Sequence, residues 1–344
     1  LGEYGLTERT YEIARAAARL AREAVGDIFV AGAMGPGTRS ISVTRNVTFA
    51  EVREGYALQA KALIDGGVDA LLLETQQDTL NLKAAAIGIR RAIAASGRDV
   101  PLMVSITIEP TGTMLAGQGV EALYVAVQHV GVFSLGLNCS TGPEFMTDHL
   151  RSLAAIATCW TSVYPNAGLP DERGQYGETP ESLAFKMRRF VDEGWVNVVG
   201  GCCGTTAEHV RALARLVSGR PPRVPPRAEP QAVSGIEVLY PTDDNRAVFV
   251  GERTNVIGSR RFKELIVEER FEDAAEIGRA QVRGSAQVLD VCLANPDRDE
   301  AADMDRFMAR LARRVKVPLM LDSNHAAVQE AALRHCQGKA IVNS

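Results

Sequence analysis

The chain is 344 residues long, 46% of its residues are hydrophobic, and its 38 basic and 42 acidic residues give a net charge of -4. This length is sufficient for one large domain and part of another. The near-balance of charge offers no electrostatic basis for binding nucleic acid or an anionic membrane, so we expect neither partner. Since no apolar run reaches the length of a membrane span and no charged leader opens the chain, we expect a cytoplasmic protein.

The first two thirds of the chain alternate between short apolar strands and longer helices. A stripe of apolar residues predicts a helix over residues 6–25. Strands are then predicted at residues 28–32, 70–74, 102–106, 133–138, 160–164 and 196–200. The helices between them are predicted around residues 48–51, 79–96, 119–130, 145–157 and 180–194. A strand followed by a helix, repeated every roughly 30 to 40 residues, is typical of βαβ units around a parallel sheet.

A doubly wound sheet and a (β/α)8 TIM-type barrel both fit this alternation. The positions of unusual residues favour the barrel, because in barrels one mouth, formed by the strand ends, carries the site. Such residues follow the predicted strands at Gly35-Pro36, Glu74, Cys139, Asn166 and Cys202-Cys203. We therefore expect an α/β fold with a TIM-type barrel that lacks its first two strands, which would precede Leu1. The chain is accordingly expected to be a fragment.

A proline-rich linker, residues 218–232, separates a first domain, residues 1–217, from a second, residues 233–344. Its prolines disfavour helix and favour an extended connector. Beyond it, strands are predicted at residues 247–251, 287–291, 318–322 and 340–343, with helices near 271–284, 298–315 and 326–336. This is the first half of a second TIM-type barrel. Polar residues again stand at the predicted strand ends, namely Glu252, Asn255, Asp290, Asp322 and Asn343.

Three of the six cysteines stand where two predicted strands end. Cys202 and Cys203 follow one strand and Cys139 follows another. If these strands are neighbours in a parallel sheet, their thiols meet at its carboxyl edge. Three protein ligands with an open fourth position is the arrangement of a catalytic zinc. Thr205 and Glu208 have capping-box spacing, which predicts a helix that starts at Thr205.

Zinc held by three thiolates would keep a substrate thiol deprotonated yet reactive enough to attack. After alkylation the sulfur is a neutral thioether, a poor zinc ligand, so the product can leave. Gly200, Gly201 and Gly204 would let both neighbouring sulfurs face one ion. The predicted helix start could hold a substrate carboxylate, and Glu74 is a candidate partner for a substrate ammonium group.

Each feature also has a purely structural interpretation. The cysteines could be core residues, which we expect of Cys159 and Cys336. Glu74 could pair with a nearby lysine or arginine, and Asp290 and Asp322 could cap helices. The five histidines are scattered without partners at ligand spacing, so we assign them no role.

The cysteine-bearing segments resemble the zinc-dependent homocysteine-binding domain of homocysteine S-methyltransferases. The resemblance lies in residues 31–36, 74–75, 136–139, 164–168 and 199–206. It implies a zinc ion held by Cys139, Cys202 and Cys203, with homocysteine bound through its thiolate. Candidate substrate-binding residues on this side are Glu74, Asn138 and Asn166.

The second domain resembles the pterin-binding, methyltetrahydrofolate domain, in residues 250–259, 289–291, 321–323 and 338–344. This implies that the pterin is contacted by Glu252, Asn255, Asp322 and Asn343, with Asp290 nearby. The sequence departs from the family at Cys292, where asparagine is usual, and at Asn324-His325, where a Ser-Lys-Trp type sequence is usual.

Homocysteine domain, proline-rich linker and folate domain in this order resemble the cobalamin-dependent methionine synthases. The resemblance implies that a zinc-activated homocysteine thiolate accepts a methyl group from methylcobalamin, which 5-methyltetrahydrofolate recharges. The cobalamin-binding domain of the parent protein would be a partner outside this sequence. Two alternatives remain: a cobalamin-independent homocysteine S-methyltransferase that uses betaine or S-methylmethionine, and an inactive truncated binding scaffold.

Overall fold

The computed structural model describes residues 2–344, which divide into two compact units. The first comprises the chain up to Val120 together with residues 128–229, and the second comprises residues 121–127 and 230–344. Among the described residues, no helix combines the length and apolar character needed to cross a membrane.

The first six strands form one parallel sheet. They are β1 (Ala31–Met34), β2 (Ala70–Gln76), β3 (Leu102–Ile106), β4 (Ser134–Asn138), β5 (Trp160–Tyr164) and β6 (Val198–Val199). The helices are α1 (Thr10–Val25), α2 (Phe49–Asp65), α3 (Thr79–Ser96), α4 (Val120–Val127), α5 (Pro143–Ile156), α6 (Pro180–Asp192) and α7 (Ala207–Val217). Strand order in space is β1-β2-β3-β4-β5-β6, the same as in the chain.

This order decides between the two predicted folds. A doubly wound sheet reverses its strand order at a switch point. The described strands show no reversal, and each pairs in parallel with the next, which excludes the doubly wound alternative for this part of the chain. The predicted parallel α/β class is confirmed. All carboxyl ends therefore lie along one edge of the sheet.

Local sequence signals explain where several helices begin. Thr48 and Glu51 form a capping box before α2, in which Glu51 N–H donates to Thr48 Oγ1 at 3.2 Å and Thr48 N–H to Glu51 Oε2 at 2.7 Å. Asp78 caps α3 by accepting from Leu80 N–H at 2.8 Å. Each cap satisfies backbone donors that a helix start leaves unpaired, so the helices begin immediately after the strand-end loops.

The second unit has its own parallel sheet and core. The sheet strands are β9 (Val250–Asn255), β10 (Val288–Cys292), β11 (Leu319–Asp322) and β12 (Ile341–Asn343), in the order β12-β11-β10-β9. An antiparallel pair, β7 (Val233–Ser234) and β8 (Val238–Leu239), precedes them. The helices are α8 (Arg260–Val267), α9 (Phe271–Arg283), α10 (Glu300–Leu311) and α11 (Ala326–Leu333). Phe262 and Phe307 pack edge to face in the core, with ring centroids 5.0 Å apart.

Several predicted boundaries were wrong. β1 begins at Ala31, three residues later than predicted, and Phe29 is 87% exposed rather than part of a strand. Glu74 lies within β2, which extends to Gln76, rather than just beyond the strand, whereas Asp290 lies inside its strand as predicted. The β7–β8 pair and α8 were not predicted, although α8 buries Phe262, Leu265 and Ile266 at helical spacing and is capped by Ser259.

Candidate metal and substrate site

Three thiols meet at the carboxyl edge of the first sheet. The sulfurs of Cys139 and Cys203 are 3.8 Å apart, those of Cys202 and Cys203 are 3.9 Å apart, and all three lie within 4.8 Å of one another. Each cysteine is free and at least partly accessible. Thiolate sulfur is a soft donor that suits zinc and similar ions, so this group can hold a metal ion.

The sheet brings the thiols together across one intervening strand. We expected the thiols to meet if their strands were neighbours, but β5 lies between β4 and β6. The end of β5 and the residue after it fill the gap, because Cys139 N–H donates to Tyr164 O at 3.4 Å and Cys202 N–H to Pro165 O at 2.9 Å. The backbone at the end of β5 therefore supports both cysteine segments.

Backbone strain is concentrated beside the thiols. Cys139, Ser140 and Thr75 have φ angles of 60°, 56° and 56°, in the left-handed region that L residues other than glycine seldom adopt. Each such residue costs roughly 1–2 kcal/mol. Strain of this kind persists only where the surroundings enforce it and is common at functional sites.

The turn that carries Cys202 and Cys203 depends on two glycines. A Cβ on Gly201 would lie 2.4 Å from Thr205 Cγ2, and Gly204 has φ 78° with the Tyr176 ring where a Cβ would be. Gly200, which we also predicted to be required, would meet only Tyr164 Cβ at 3.4 Å. The predicted capping box was wrong by one residue, since α7 is capped by Thr206 with His209 at the third helical position.

Asn138 is fully buried behind Cys202 and uses all the hydrogen-bonding positions of its amide. Its Oδ1 accepts from Thr75 N–H at 3.1 Å and Ser105 Oγ at 2.5 Å. Its Nδ2 donates to Thr75 Oγ1 at 2.7 Å and lies 3.8 Å from Cys202 Sγ. The amide thus orients one thiol and also joins β2 to β4.

Asn166 supports the second thiol of the pair. Its buried Oδ1 accepts from Cys203 N–H at 3.2 Å, and Cys203 O accepts from Ala167 N–H at 2.9 Å. These two contacts hold the backbone of Cys203 on both sides of its Cα.

The thiols of Cys139 and Cys202 both have raised pKa values. Burial, and after it the negative charge of Cys139, raise the pKa of Cys202 to about 12. Burial also raises the pKa of Cys139. A cation among three mutually repelling thiolates reverses both effects, so metal uptake must release protons.

Glu74 lies on β2, half-buried, and burial raises the pKa of its carboxyl group. Among the described residues it forms no ion pair, so the predicted alternative, a partnership with lysine or arginine, is not found. Its carboxylate also raises the pKa of Tyr164, after the larger effect of burial, as does Cys202. Glu74 directly precedes Thr75, which is hydrogen-bonded to the Asn138 amide that lies beside Cys202.

In the second unit the predicted pterin residues lie on four adjacent strands: Glu252 and Asn255 on β9, Asp290 on β10, Asp322 on β11 and Asn343 on β12. Asp322 is in register with Asn343, and Cys292 with Asn255. Asn255 Nδ2 donates to Asp290 Oδ2 at 2.9 Å. Burial raises the pKa of Asp290, and the charges of Asp322 and Glu252 raise it further.

Asp290 and Asp322 cap no helix. Asp290 lies inside β10, Asp322 ends β11, and α11 begins after His325. This removes the capping interpretation for both residues and leaves a group of carboxyl and carboxamide side chains on the second sheet.

Two residues near the thiols were not predicted. Tyr176 packs on Gly204, and His209 is buried with contacts from both ring nitrogens. The spacing of Thr206 and His209 is a capping signal that the sequence contains. Nothing in the sequence pairs Tyr176 with Gly204, because the two residues are 28 positions apart on two different loops that only the fold brings together.

The two units of the chain match two different protein families. The model of the family described as homocysteine S-methyltransferase matches residues 1–217, and that described as pterin binding enzyme matches residues 251–344. Two methionine synthases, from Mycobacterium tuberculosis and Mycobacterium leprae, are each 38% identical to the chain over its whole length. The chain spans about 30% of the length of these curated relatives.

Solved structures of the homocysteine methyltransferase MmuM from Escherichia coli are more distant. The apo form is 20% identical with a TM-score of 0.47, over 61% of this chain and 74% of that one. The metallated form is 22% identical with a TM-score of 0.45, over 61% and 70%.

A parallel α/β sheet with three thiols grouped at its carboxyl edge is typical of the class of proteins that can hold a metal ion through sulfur. Within that class the match over residues 1–217 is specific. The chain belongs to the homocysteine S-methyltransferase family.

Proposed function

We propose that the chain is the part of a methionine synthase that binds homocysteine in its first unit and 5-methyltetrahydrofolate in its second. The observation that carries the proposal is the meeting of three sulfurs within 4.8 Å at one edge of the first sheet. The two family matches, in this order along one chain, and the 38% identity to methionine synthases support it.

We also infer that each sheet is part of a (β/α)8 TIM-type barrel. In such barrels strand order follows the chain, as it does in both sheets. The first barrel would lack two strands and the second four. The proposed domains are residues 1–217 and 233–344, joined by residues 218–232, which contain no helix or strand.

For the first site we propose zinc, held by Cys139, Cys202 and Cys203. Bound there, zinc would supply the positive charge that keeps a substrate thiol ionised near neutral pH. Glu74 binds the ammonium group of homocysteine, for which a half-buried carboxylate without an internal cation is well suited. Asn138 and Asn166, predicted as substrate contacts, serve the site by holding Cys202 and Cys203.

For the second site we propose that Glu252, Asn255, Asp290, Asp322 and Asn343 bind the pterin ring. Their carboxyl and carboxamide groups match the amide and amino groups along the pterin edge. The methyl group becomes transferable only when the tertiary amine that carries it gains a proton, so nearby carboxyl groups favour the reactive form. Cys292, which is buried beside Asn255 in register, offers the ring a weaker hydrogen-bonding group than an asparagine would.

Cobalamin is the proposed methyl carrier, brought by a domain of the full-length protein. We infer a cytoplasmic location because the chain has six cysteines, all free.

The first test is the zinc content of the purified chain, with Cys202→Ala as the site variant and Cys159→Ala as its control. We expect about one zinc per chain, retained by the control and lost by the site variant. Homocysteine should release a proton from the zinc-loaded chain, and added methylcobalamin should methylate it. Zinc that is absent from reconstituted protein, or unaffected by Cys202→Ala, would contradict the proposal.

A further inference from the structure

We propose that His209 is a positioning residue that fastens the loop between β5 and α6, residues 165–179, to the turn that bears Cys202 and Cys203. The proposal rests on the proposed function, because the turn matters only if its thiols hold a metal ion. His209 itself touches neither thiol, and it acts through the loop.

Both ring nitrogens of His209 have hydrogen-bond partners, and the donor or acceptor role of each backbone partner is fixed. Nδ1 accepts from Thr206 N–H at 3.1 Å, with Thr206 Oγ1 3.0 Å away, and Nε2 lies 2.9 Å from the carbonyl oxygen of Glu178. A backbone N–H can only donate and a carbonyl can only accept, so the ring must carry its proton on Nε2. The side chain is 6% exposed. One neutral imidazole thereby joins the start of α7 to the end of the loop.

Glu178 gives His209 a fixed anchor. Its carboxylate, largely buried, pairs with Lys186 at 2.7 Å, and Lys186 also pairs with Glu144 of α5 at 2.8 Å. Glu178 N–H donates to Ala167 O at 3.2 Å, which closes the base of the loop. The carbonyl that meets His209 is thus held by the fold on both sides.

The closed loop reaches the thiols at two points. Near its beginning, Asn166 and Ala167 bind the backbone of Cys203. Near its end, the Tyr176 ring lies directly over Gly204, at the position that a Cβ would occupy. Between them, Pro170 and Tyr176 form an antiparallel bridge around a turn closed by Asp171 and Gln175.

His209 therefore links the loop to the start of the helix behind the thiol turn, in addition to the direct contacts between loop and turn. If the contact between Nε2 and Glu178 O is lost, the end of the loop near Glu178 is no longer held to α7. The contact between Nδ1 and Thr206 N–H at the start of α7 can remain. Groups that support metal ligands from behind typically change metal affinity 10- to 100-fold when they are removed.

The test separates the two contacts of His209. In His209→Gln the side chain can still accept from Thr206 N–H, as glutamine does in a capping box, but is too short to reach Glu178 O as well. His209→Ala removes both contacts. Thr206→Ala is the matched control, because it removes the Thr206 hydroxyl and leaves the contact with Glu178.

The first readout is trypsin cleavage after Arg173, which is exposed in the loop, measured relative to cleavage after the exposed linker residue Arg227. The second is Co²⁺ affinity, followed by the absorption of the cobalt–thiolate group. We expect His209→Gln to accelerate relative cleavage after Arg173 about tenfold and to weaken Co²⁺ binding about tenfold. Thr206→Ala should match the parent chain in both.

A parent-like His209→Gln, in cleavage or in Co²⁺ affinity, would overturn the positioning role. If His209→Ala fails to fold, His209→Gln still tests the positioning role. If the parent chain takes up no Co²⁺, the proposed function fails instead, and faster cleavage in His209→Gln then still supports the link through His209, whereas unchanged cleavage overturns it.

Discussion

Asp290 is a carboxyl group that the fold holds at an energetic disadvantage when it is charged. Burial raises its pKa, with further contributions from Asp322 and Glu252, while the hydrogen bond from Asn255 opposes them. The folded chain thus binds this proton more tightly than the unfolded chain does. Stability falls as pH rises from the ordinary carboxyl pKa through the raised value, and stays lower above it.

We predict that Asp290→Asn stabilises the second unit at neutral pH, by up to about 2 kcal/mol, because an amide can still accept from Asn255 without carrying charge. The same change should weaken methyltetrahydrofolate binding. Denaturant unfolding at pH 4.5 and pH 7.5 and folate titration measure the two effects. Asp297→Asn, on a loop outside the sheet, is the control, and a loss of stability at pH 7.5 in Asp290→Asn would contradict the prediction.

Single residues also show what could be predicted from sequence at this site. Cys139, Cys202 and Cys203 could be assigned because parallel strands deliver their ends to one edge, whatever the exact order of the strands. Tyr176 and His209 could not, because their roles depend on contacts between separate loops. Asn138 was assigned to the site, but its four amide contacts become visible only in the fold.

At the scale of elements, β4 and β5 approach so closely that only glycine fits at position 136. A Cβ there would lie 1.9 Å from Ser162 O on β5. We predict that Gly136→Ala destabilises the chain by about 3 kcal/mol or more, because backbone must move to relieve the clash. Urea unfolding measures the change, and metal binding should weaken with it since Cys139 directly follows β4.

Gly55 is the matched control. It lies on the exposed side of α2 with no atom near the position of a Cβ. Gly55→Ala should stabilise by about 0.5–1 kcal/mol through helix propensity. Equal changes in the free energy of unfolding at positions 55 and 136 would show that the close approach of β4 and β5 does not affect stability.

Helices and strands were predicted best where their ends carry strong signals. Thr79–Ser96, Leu102–Ile106 and Trp160–Tyr164 were located to the residue. Boundaries failed where two adjacent residues could serve the same role, as at Thr205 and Thr206. There the choice of Thr206 follows from the turn at Gly204 and from the place of His209 against Glu178, both of which are tertiary.

For the whole molecule, the proposed zinc site would link metal binding to folding. At free zinc 100 times the dissociation constant, binding adds about 2.7 kcal/mol to the free energy of unfolding. Because the pKa values of Cys139 and Cys202 are raised, zinc must displace protons, and the gain should be smaller at pH 6.5 than at pH 8. Unfolding with and without a chelator measures it, and Cys203→Ala should lose the gain at both pH values. An equal gain at both would mean that no protons are displaced.

The position of β5 between the two cysteine-bearing strands has a consequence for biosynthesis. A nascent chain that ends before Cys202 offers one of the three sulfurs, and the remaining two arrive together only after β4, the backbone beyond β5 and β6 have been made. Binding of the proposed metal ion would therefore be a late event, possible only after three successive strands have assembled in the correct order. The proposed ion would stabilise a fold that has already formed rather than nucleate its formation.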